Sequence, residues 1–215
     1  MIISGLFIVL ISFAGTGYSI HCQQCSSTTE KNCKGNETKC SSMFDLCISK
    51  YISTKDIKGQ VIETYFSRGC GKLHDCLDPV IFTNDNITVE MSVECCWHSI
   101  CVLKDFPSKN KHKGKEVKCK NCYSDNESTC NKNNNTMVCP GEEPKCASIN
   151  YQSKGKVNKN FFTQGCATKS CKNNTVDWKM EGTSYTLQLF CKATISLGFS
   201  PVILLLVAFS VIKLL

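Results

Sequence analysis

No His-Glu-x-x-His, Gly-x-Ser-x-Gly or glycine-rich phosphate loop occurs anywhere in the chain, which removes the metalloprotease, serine-hydrolase and nucleotide-binding signatures. Only four histidines are present, His21, His74, His98 and His112, and none forms a nucleophile–base pair with a neighbouring residue. Asp75 and Asp78 bracket Cys76 and Leu77, but a solvated loop accounts for that spacing as well as a carboxylate pair does. The sequence therefore predicts a protein that is not an enzyme and that needs no cofactor or metal. Long apolar runs are missing between residues 20 and 192, where Lys, Asn and Cys predominate. That composition predicts no single large core and excludes a cytosolic enzyme domain. Eighteen cysteines in 215 residues exclude long disorder as well, being near the fraction of about 8–10% that marks a disulfide scaffold.

The apolar residues gather at the two ends. Met1 to Phe13 is uncharged and apolar, and Ala14, Gly15, Gly17 and Ser19 follow, the layout of a secretory signal peptide. Gly17 and Ser19 suit the −3 and −1 positions, so residues 1–19 are expected to be removed and the mature chain to begin at Ile20. The run is short of the roughly 20 apolar residues that span a bilayer. At the other end Ile195 to Leu215 is apolar, with only Lys213 charged. An apolar C-terminal tail preceded by small residues is the pattern of a glycosylphosphatidylinositol (GPI) attachment signal. Residues 193–215 are expected to be that signal, with lipid on Ser196 or Ala193; a single membrane span is the alternative. Export implies that the cysteines are paired, and their number is even.

The cysteine spacing is written twice. From Cys22 the intervening residues number 2, 7, 6, 6, 22, 5, 18, 0 and 4; from Cys119 they number 2, 7, 8, 6, 19, 4 and 19. Phe66-Ser-Arg-Gly-Cys70 parallels Phe162-Thr-Gln-Gly-Cys166. This is an internal repeat, which predicts two domains, 20–101 and 119–192. Residues 102–118 between them carry Lys104, Lys109, Lys111, Lys113, Lys115 and Lys118. Such a run suits a solvated, protease-sensitive tether better than a heparan or nucleic-acid site, and no nucleic-acid partner is expected. The net charge of +7 favours an acidic partner through long-range attraction.

Between the cysteines the apolar residues alternate. Ile48, Lys50 and Ile52 alternate with Ser49, Tyr51 and Ser53, a turn at 56–59 follows, and Val61 to Phe66 is rich in β-branched and aromatic residues. Ile87, Val89, Met91 and Val93 alternate with Thr88, Glu90, Ser92 and Glu94, and Tyr185, Leu187 and Leu189 with Ser184, Thr186 and Gln188. A period of two predicts half-buried strands. No helical period is evident. The fold class expected is all-β, small and disulfide-rich.

The motif Cys22-Gln-Gln-Cys25, then Cys33, Cys40, Cys47, Cys70, Cys76, the doublet Cys95-Cys96, and Cys101 resembles the lymphocyte-antigen-six/urokinase-receptor family, whose domains have the three-finger fold. The resemblance covers residues 22–101 and 119–191 and implies two three-finger domains in tandem. It implies the pairing Cys22–Cys47, Cys25–Cys33, Cys40–Cys70, Cys76–Cys95 and Cys96–Cys101. Carried onto the second unit it implies Cys119–Cys146, Cys122–Cys130, Cys139–Cys166 and Cys171–Cys191. Val102 follows Cys101 where the family usually has Asn, and Lys192 stands where the second cysteine of the doublet would fall. The arrangement of two domains is similar to gamma-type phospholipase A2 inhibitors and to two-domain pheromone-like proteins of amphibians. The pairs 22/25 and 119/122 are read as disulfide halves rather than zinc or redox Cys-x-x-Cys sites.

Asn-x-Ser/Thr acceptors stand at Asn36, Asn86, Asn126, Asn134 and Asn173, and glycans there require surface positions. The unglycosylated second fingers are the candidate binding elements: Tyr51, Ile57, Lys58 and Tyr65 in the first unit, and Tyr151, Lys154, Lys156 and Phe161 in the second. The aromatics among them can equally pack the sheet. The reading favoured is a GPI-anchored cell-surface protein that recognises an extracellular protein ligand; the alternatives are a secreted inhibitor of phospholipase A2 and a secreted signalling ligand.

Overall fold

The computed structural model describes residues 19–107, 116–140 and 144–192. The expected signal peptide except Ser19, the expected anchor signal with Ser196 and Ala193, and most of the lysine run with His112 lie outside these. Among the described residues no helix is long and apolar enough to cross a membrane.

The first unit consists of β1 (His21–Ser27), β2 (Asn36–Lys39), β3 (Leu46–Asp56), β4 (Val61–Gly71), a 3-10 turn (Leu73–Asp75), β5 (Leu77–Thr83) and β6 (Ile87–Cys96). The second consists of β7 (Lys118–Lys120), β8 (Cys122–Ser124), α1 (Glu127–Lys132), β9 (Thr136–Val138), β10 (Lys145–Lys154), β11 (Lys159–Ala167), β12 (Asn174–Met180) and β13 (Thr183–Cys191). The chain is thus all-β with two three-finger units in tandem, apart from one helical element that the sequence pattern does not reveal. At six residues, α1 is too short to show a period; Asn126 starts it by accepting from the Thr129 amide at 3.0 Å, the bond expected of a good N-cap.

Nine disulfides hold the two palms: Cys22–Cys47, Cys25–Cys33, Cys40–Cys70, Cys76–Cys95 and Cys96–Cys101 in the first, Cys119–Cys146, Cys122–Cys130, Cys139–Cys166 and Cys171–Cys191 in the second. These are the pairs that the family resemblance implies, and no cysteine is free. None of the nine crosses from one unit to the other.

Strand pairing does cross. The strand order is β12-β13-β10-β11-β5-β6-β3-β4-β1-β2, with β8 also on β11 and a separate β7-β9 pair. The junction is antiparallel, Cys166 opposite Thr83 and Ala167 opposite Phe82. Beside it the Thr168 amide donates to the Ile81 carbonyl at 3.1 Å, and the Ser170 hydroxyl to the Pro79 carbonyl at 2.6 Å. The turn after β5 enters the second unit: buried Asn84 donates through Nδ2 to Thr163 Oγ1 at 2.6 Å, and Asn121 bonds Asp85.

This junction corrects the expectation that no large core forms. One cluster joins Phe82, Val89 and Met91 of the first unit to Ile149, Trp178 and Leu187 of the second. Apolar residues too sparse for two separate cores suffice for a shared one, because each unit contributes an apolar face of the joined sheet. Lys50 of β3 reaches across and donates to the Asp177 carbonyl of β12 at 2.5 Å; burial holds its ammonium below the usual lysine pKa range.

The half-buried strands are also corrected. The polar face of β6 and β3 is covered too: Ser49, Ser53, Glu90 and Ser92 are buried. Each has a partner, as buried polar groups require; Ser49 donates to the Cys101 carbonyl at 2.7 Å, and Glu90 pairs with Lys55 at 2.5 Å. Phe106, from the segment expected to be a free tether, packs on Tyr51 with ring centroids 5.7 Å apart. Lys104 pairs with Glu94 at 3.1 Å. The described start of the linker therefore lies on the first unit.

Candidate binding site between the domains

Two hairpin ends and the cleft between the units form the candidate site. The β3–β4 turn is closed by Asp56, whose carboxylate accepts from the amides of Lys58 and Gln60, both at 2.8 Å. Gly59 sits at φ +81°, where a side chain would be strained. With Asp56 occupied by the turn, the side chains left outward are apolar, basic or, at Gln60, neutral polar, and none is acidic. Ile57, Val61 and Ile62 are 73%, 59% and 61% exposed, and Lys58 is exposed.

The β10–β11 end is built differently. Ser153 Oγ accepts from the Lys159 amide at 2.8 Å, and Asn158 accepts from the Gly155 amide at 3.1 Å. A Cβ on Gly155 would lie 2.4 Å from the Gly182 carbonyl oxygen, so this turn packs on the β12–β13 turn. Val157 is 53% exposed, and Lys154, Lys156 and Lys159 are exposed.

The two ends flank one cleft: Ile62 and Glu63 line it from the first unit, Tyr123 and Lys159 from the second. Its floor is apolar, made by Ile52, Ile87, Val89 and Leu187, and its volume is about 70 Å³. The walls are stacked aromatics. Tyr151 and Phe161 lie 4.6 Å apart between ring centroids and Tyr65 and Trp178 5.6 Å; behind the wall Trp178 stacks on Tyr185 at 5.1 Å. The Trp178 indole N–H is buried without an acceptor. Burial raises the Glu63 carboxyl above the usual carboxylate range, and the Lys159 ammonium opposes that. Burial and the nearby Glu63 push the Tyr151 phenol well above its ordinary value.

The sequence-derived binding residues divide into three groups. Tyr65, Tyr151 and Phe161 are buried and line the cleft. Tyr51 is buried on the opposite sheet face under Phe106, with the Lys31 ammonium 4.8 Å from its ring centroid. All four pack in the sheet, the alternative that the sequence left open for the aromatics, because both of its faces are covered; only Tyr65, Tyr151 and Phe161 border the cleft. Lys58 and Lys156, with Ile57 and Lys154, are exposed at the tips as expected of surface contacts. Sequence reasoning missed Val61 and Ile62, which read simply as strand residues, and Val157, which lies between β10 and β11 and carried no signal of its own. It also missed Glu63, Tyr123, Lys159 and Trp178, which meet only when the units pack.

Asn36, Asn86, Asn126, Asn134 and Asn173 are all exposed. Asp75 caps its own turn through the Lys72 amide, and Asp78 faces Lys104 and Lys172, so the two do not form a carboxylate pair. Two sulfur triplets, Cys22/Cys40/Cys70 and Cys119/Cys139/Cys166, are close enough to suggest metal ligation. All six atoms belong to disulfides and offer no thiolate, which zinc would require.

The u-PAR/Ly-6 domain model matches residues 18–103 and 115–194. No curated protein matches the chain. Among solved structures, mouse TEX101 is similar at 15% identity over 80% of this chain and 97% of that one, with a TM-score of 0.35. Domains of the u-PAR/Ly-6 type are in general non-catalytic binding modules, and their disulfide density suits the extracellular space. With both repeats matched over most of its length, the chain belongs to the u-PAR/Ly-6 family as two domains in tandem.

Proposed function

We propose that the protein is a GPI-anchored cell-surface recognition protein that binds an extracellular protein ligand through its two hairpin ends. The observation that carries this reading is the exposure of Ile57, Val61, Ile62 and Val157 on the two ends that flank one cleft. Clustered exposed apolar side chains mark interaction sites, and loops on a rigid scaffold are where binding residues gather. Lys58, Lys154 and Lys156 add the positive rim.

The remaining assignments follow from this reading. The signal peptide 1–19 is removed, lipid is attached to the carboxyl of Ser196 or Ala193 with loss of the residues that follow it, and domains 20–101 and 119–192 stand outside the cell, joined by 102–118. None of Asn36, Asn86, Asn126, Asn134 and Asn173 lies on β3, β4, β10 or β11 or on their turns; Asn86 adjoins Ile87, the partner of Asp56, so a glycan there borders the β3–β4 end. A secreted phospholipase A2 inhibitor or signalling ligand is the second reading, and it has no need of residues 195–215.

Full-length protein on cultured cells, treated with phosphatidylinositol-specific phospholipase C, tests the anchor. Release from the surface is expected. Resistance to release overturns the lipid anchor in favour of a membrane span, and protein already in the medium overturns it in favour of the secreted readings. Ile57→Asp with Val157→Asp is expected to lower binding of the soluble dimerised ectodomain to ligand-bearing cells about tenfold, in line with loss of interface anchors; unchanged binding overturns the hairpin site.

A further inference from the structure

We infer that the cleft between the domains holds an aliphatic side chain from an acidic segment of the protein ligand. The inference rests on the recognition reading above and deepens it. Three observations converge on it.

The first is size and lining. Ile52, Ile87, Val89 and Leu187 give the floor no charge and no hydrogen-bonding side chain. A cavity of about 150 Å³ accommodates benzene, so one of about 70 Å³ suits a branched aliphatic group and is too small for an indole.

The second is charge. Lys159 is exposed on the second-unit side of the cleft, Lys154 and Lys156 are exposed at the end of the same hairpin, and Lys58 at the first-unit tip. Asp56 is turned inward to its own turn amides; the other acids near the site are Glu63 in the cleft, Asp125 beside Tyr123 and exposed Glu181 on the β12–β13 turn, so the lysines of the two hairpin ends outnumber them. Glu63 stands on the first-unit side and Lys159 on the second-unit side of the cleft. The carboxylates of the bound segment therefore belong over the second unit, away from Glu63.

The third is position. Exposed Ile62 and Lys159 line the same cleft, so one short segment can fill the cleft and meet the lysines together. Apolar anchoring in a pocket with a charged rim is the usual division of labour in an interface.

The chain has two tryptophans, which supply a reporter and its control. Trp178 lines the cleft; Trp97 is exposed on the loop closed by Cys96–Cys101. Purified, disulfide-intact ectodomain labelled with nitrogen-15 is titrated with acetyl-Glu-Leu-Asp-amide, following both indole N–H signals. A saturable shift of the Trp178 signal alone is expected. Acetyl-Glu-Gly-Asp-amide and acetyl-Lys-Leu-Lys-amide are expected to bind roughly tenfold more weakly or worse, the scale of losing an aliphatic group from a pocket. Thr54→Phe, at the half-buried rim of the cleft, is expected to abolish the response without changing the melting temperature. Lys154→Glu with Lys156→Glu, which leaves the floor intact, is expected to weaken it. Equal binding of the leucine and glycine peptides, equal binding of the acidic and basic ones, no Trp178 shift, or a full response in Thr54→Phe each overturns the inference. Cell binding that is lost in the Ile57→Asp/Val157→Asp protein but kept in Thr54→Phe overturns the cleft while leaving the recognition reading in place.

Discussion

A Cβ atom on Gly165 would lie 2.3 Å from the carbonyl oxygen of Thr83, so the junction of the two domains depends on a missing side chain. Thr83 is opposite Cys166 in the strand pair that joins β5 to β11, and its oxygen is backbone, which no rotamer change can move aside. Gly165→Ala is expected to cost about 2–3 kcal/mol, within the range for overpacked positions. Gly69, the counterpart in the first unit, meets only the flexible Gln24 side chain, at 3.1 Å. Gly69→Ala is expected to cost less than about 1 kcal/mol, a shift that a side-chain rearrangement absorbs. Denaturant unfolding of both variants checks the contrast, and equal losses would show that the junction does not need Gly165.

Asn84 is the polar counterpart of that junction. Its Nδ2 donates to Thr163 Oγ1 at 2.6 Å and to the Cys122 carbonyl at 3.4 Å; its Oδ1 accepts from the amides of Asn86 and Ile87, both at 2.8 Å. Asn84→Ala strips partners from a buried site and is expected to cost about 2–4 kcal/mol, as loss of several buried bonds does. Amide exchange should quicken in β5 and β11 together. A change confined to the first unit would mean that Asn84 serves only its own turn.

Glu63 gives the cleft a pH signature. Its folded carboxyl holds a proton more tightly than the unfolded one, chiefly because of burial. A raised carboxyl pKa contributes stability below the unfolded value of about 4.3 and loses it as pH rises through the folded pKa. At neutral pH the buried carboxylate is therefore a liability. Glu63→Gln is expected to melt higher than the parent at pH 7, with the gap closing below about pH 4. A variant that melts lower at pH 7 would mean that attraction to Lys159 outweighs burial.

The palms and most strands were legible in the sequence, because disulfide-linked palms repeat a spacing and strands repeat a period of two. The two gap series around Cys22 and Cys119 mark the repeat, and Tyr185, Leu187 and Leu189 mark β13. The placement of the aromatics was not legible. Tyr51 and Tyr65 lie on opposite faces of the β3–β4 ladder, and alternation cannot tell that both faces are covered. The shared core was not legible either. It depends on two residue pairs at the edge of β11 and on Gly165, and the first unit carries the same glycine, Gly69, at a position that makes no such junction. The cleft exists only through that junction, so Glu63, Lys159 and Trp178 had no sequence signal to bring them together.

The fusion of two u-PAR/Ly-6 domains through one sheet and one core is the claim on which the cleft depends, and cutting the linker tests it most directly. No disulfide joins the halves, so after cleavage at a protease site inserted among residues 108–115 only packing and strand pairing hold them. Size-exclusion chromatography of the cut, non-reduced protein should give one species of the uncut size. Two half-sized species without denaturant would contradict the shared core and the binding cleft with it.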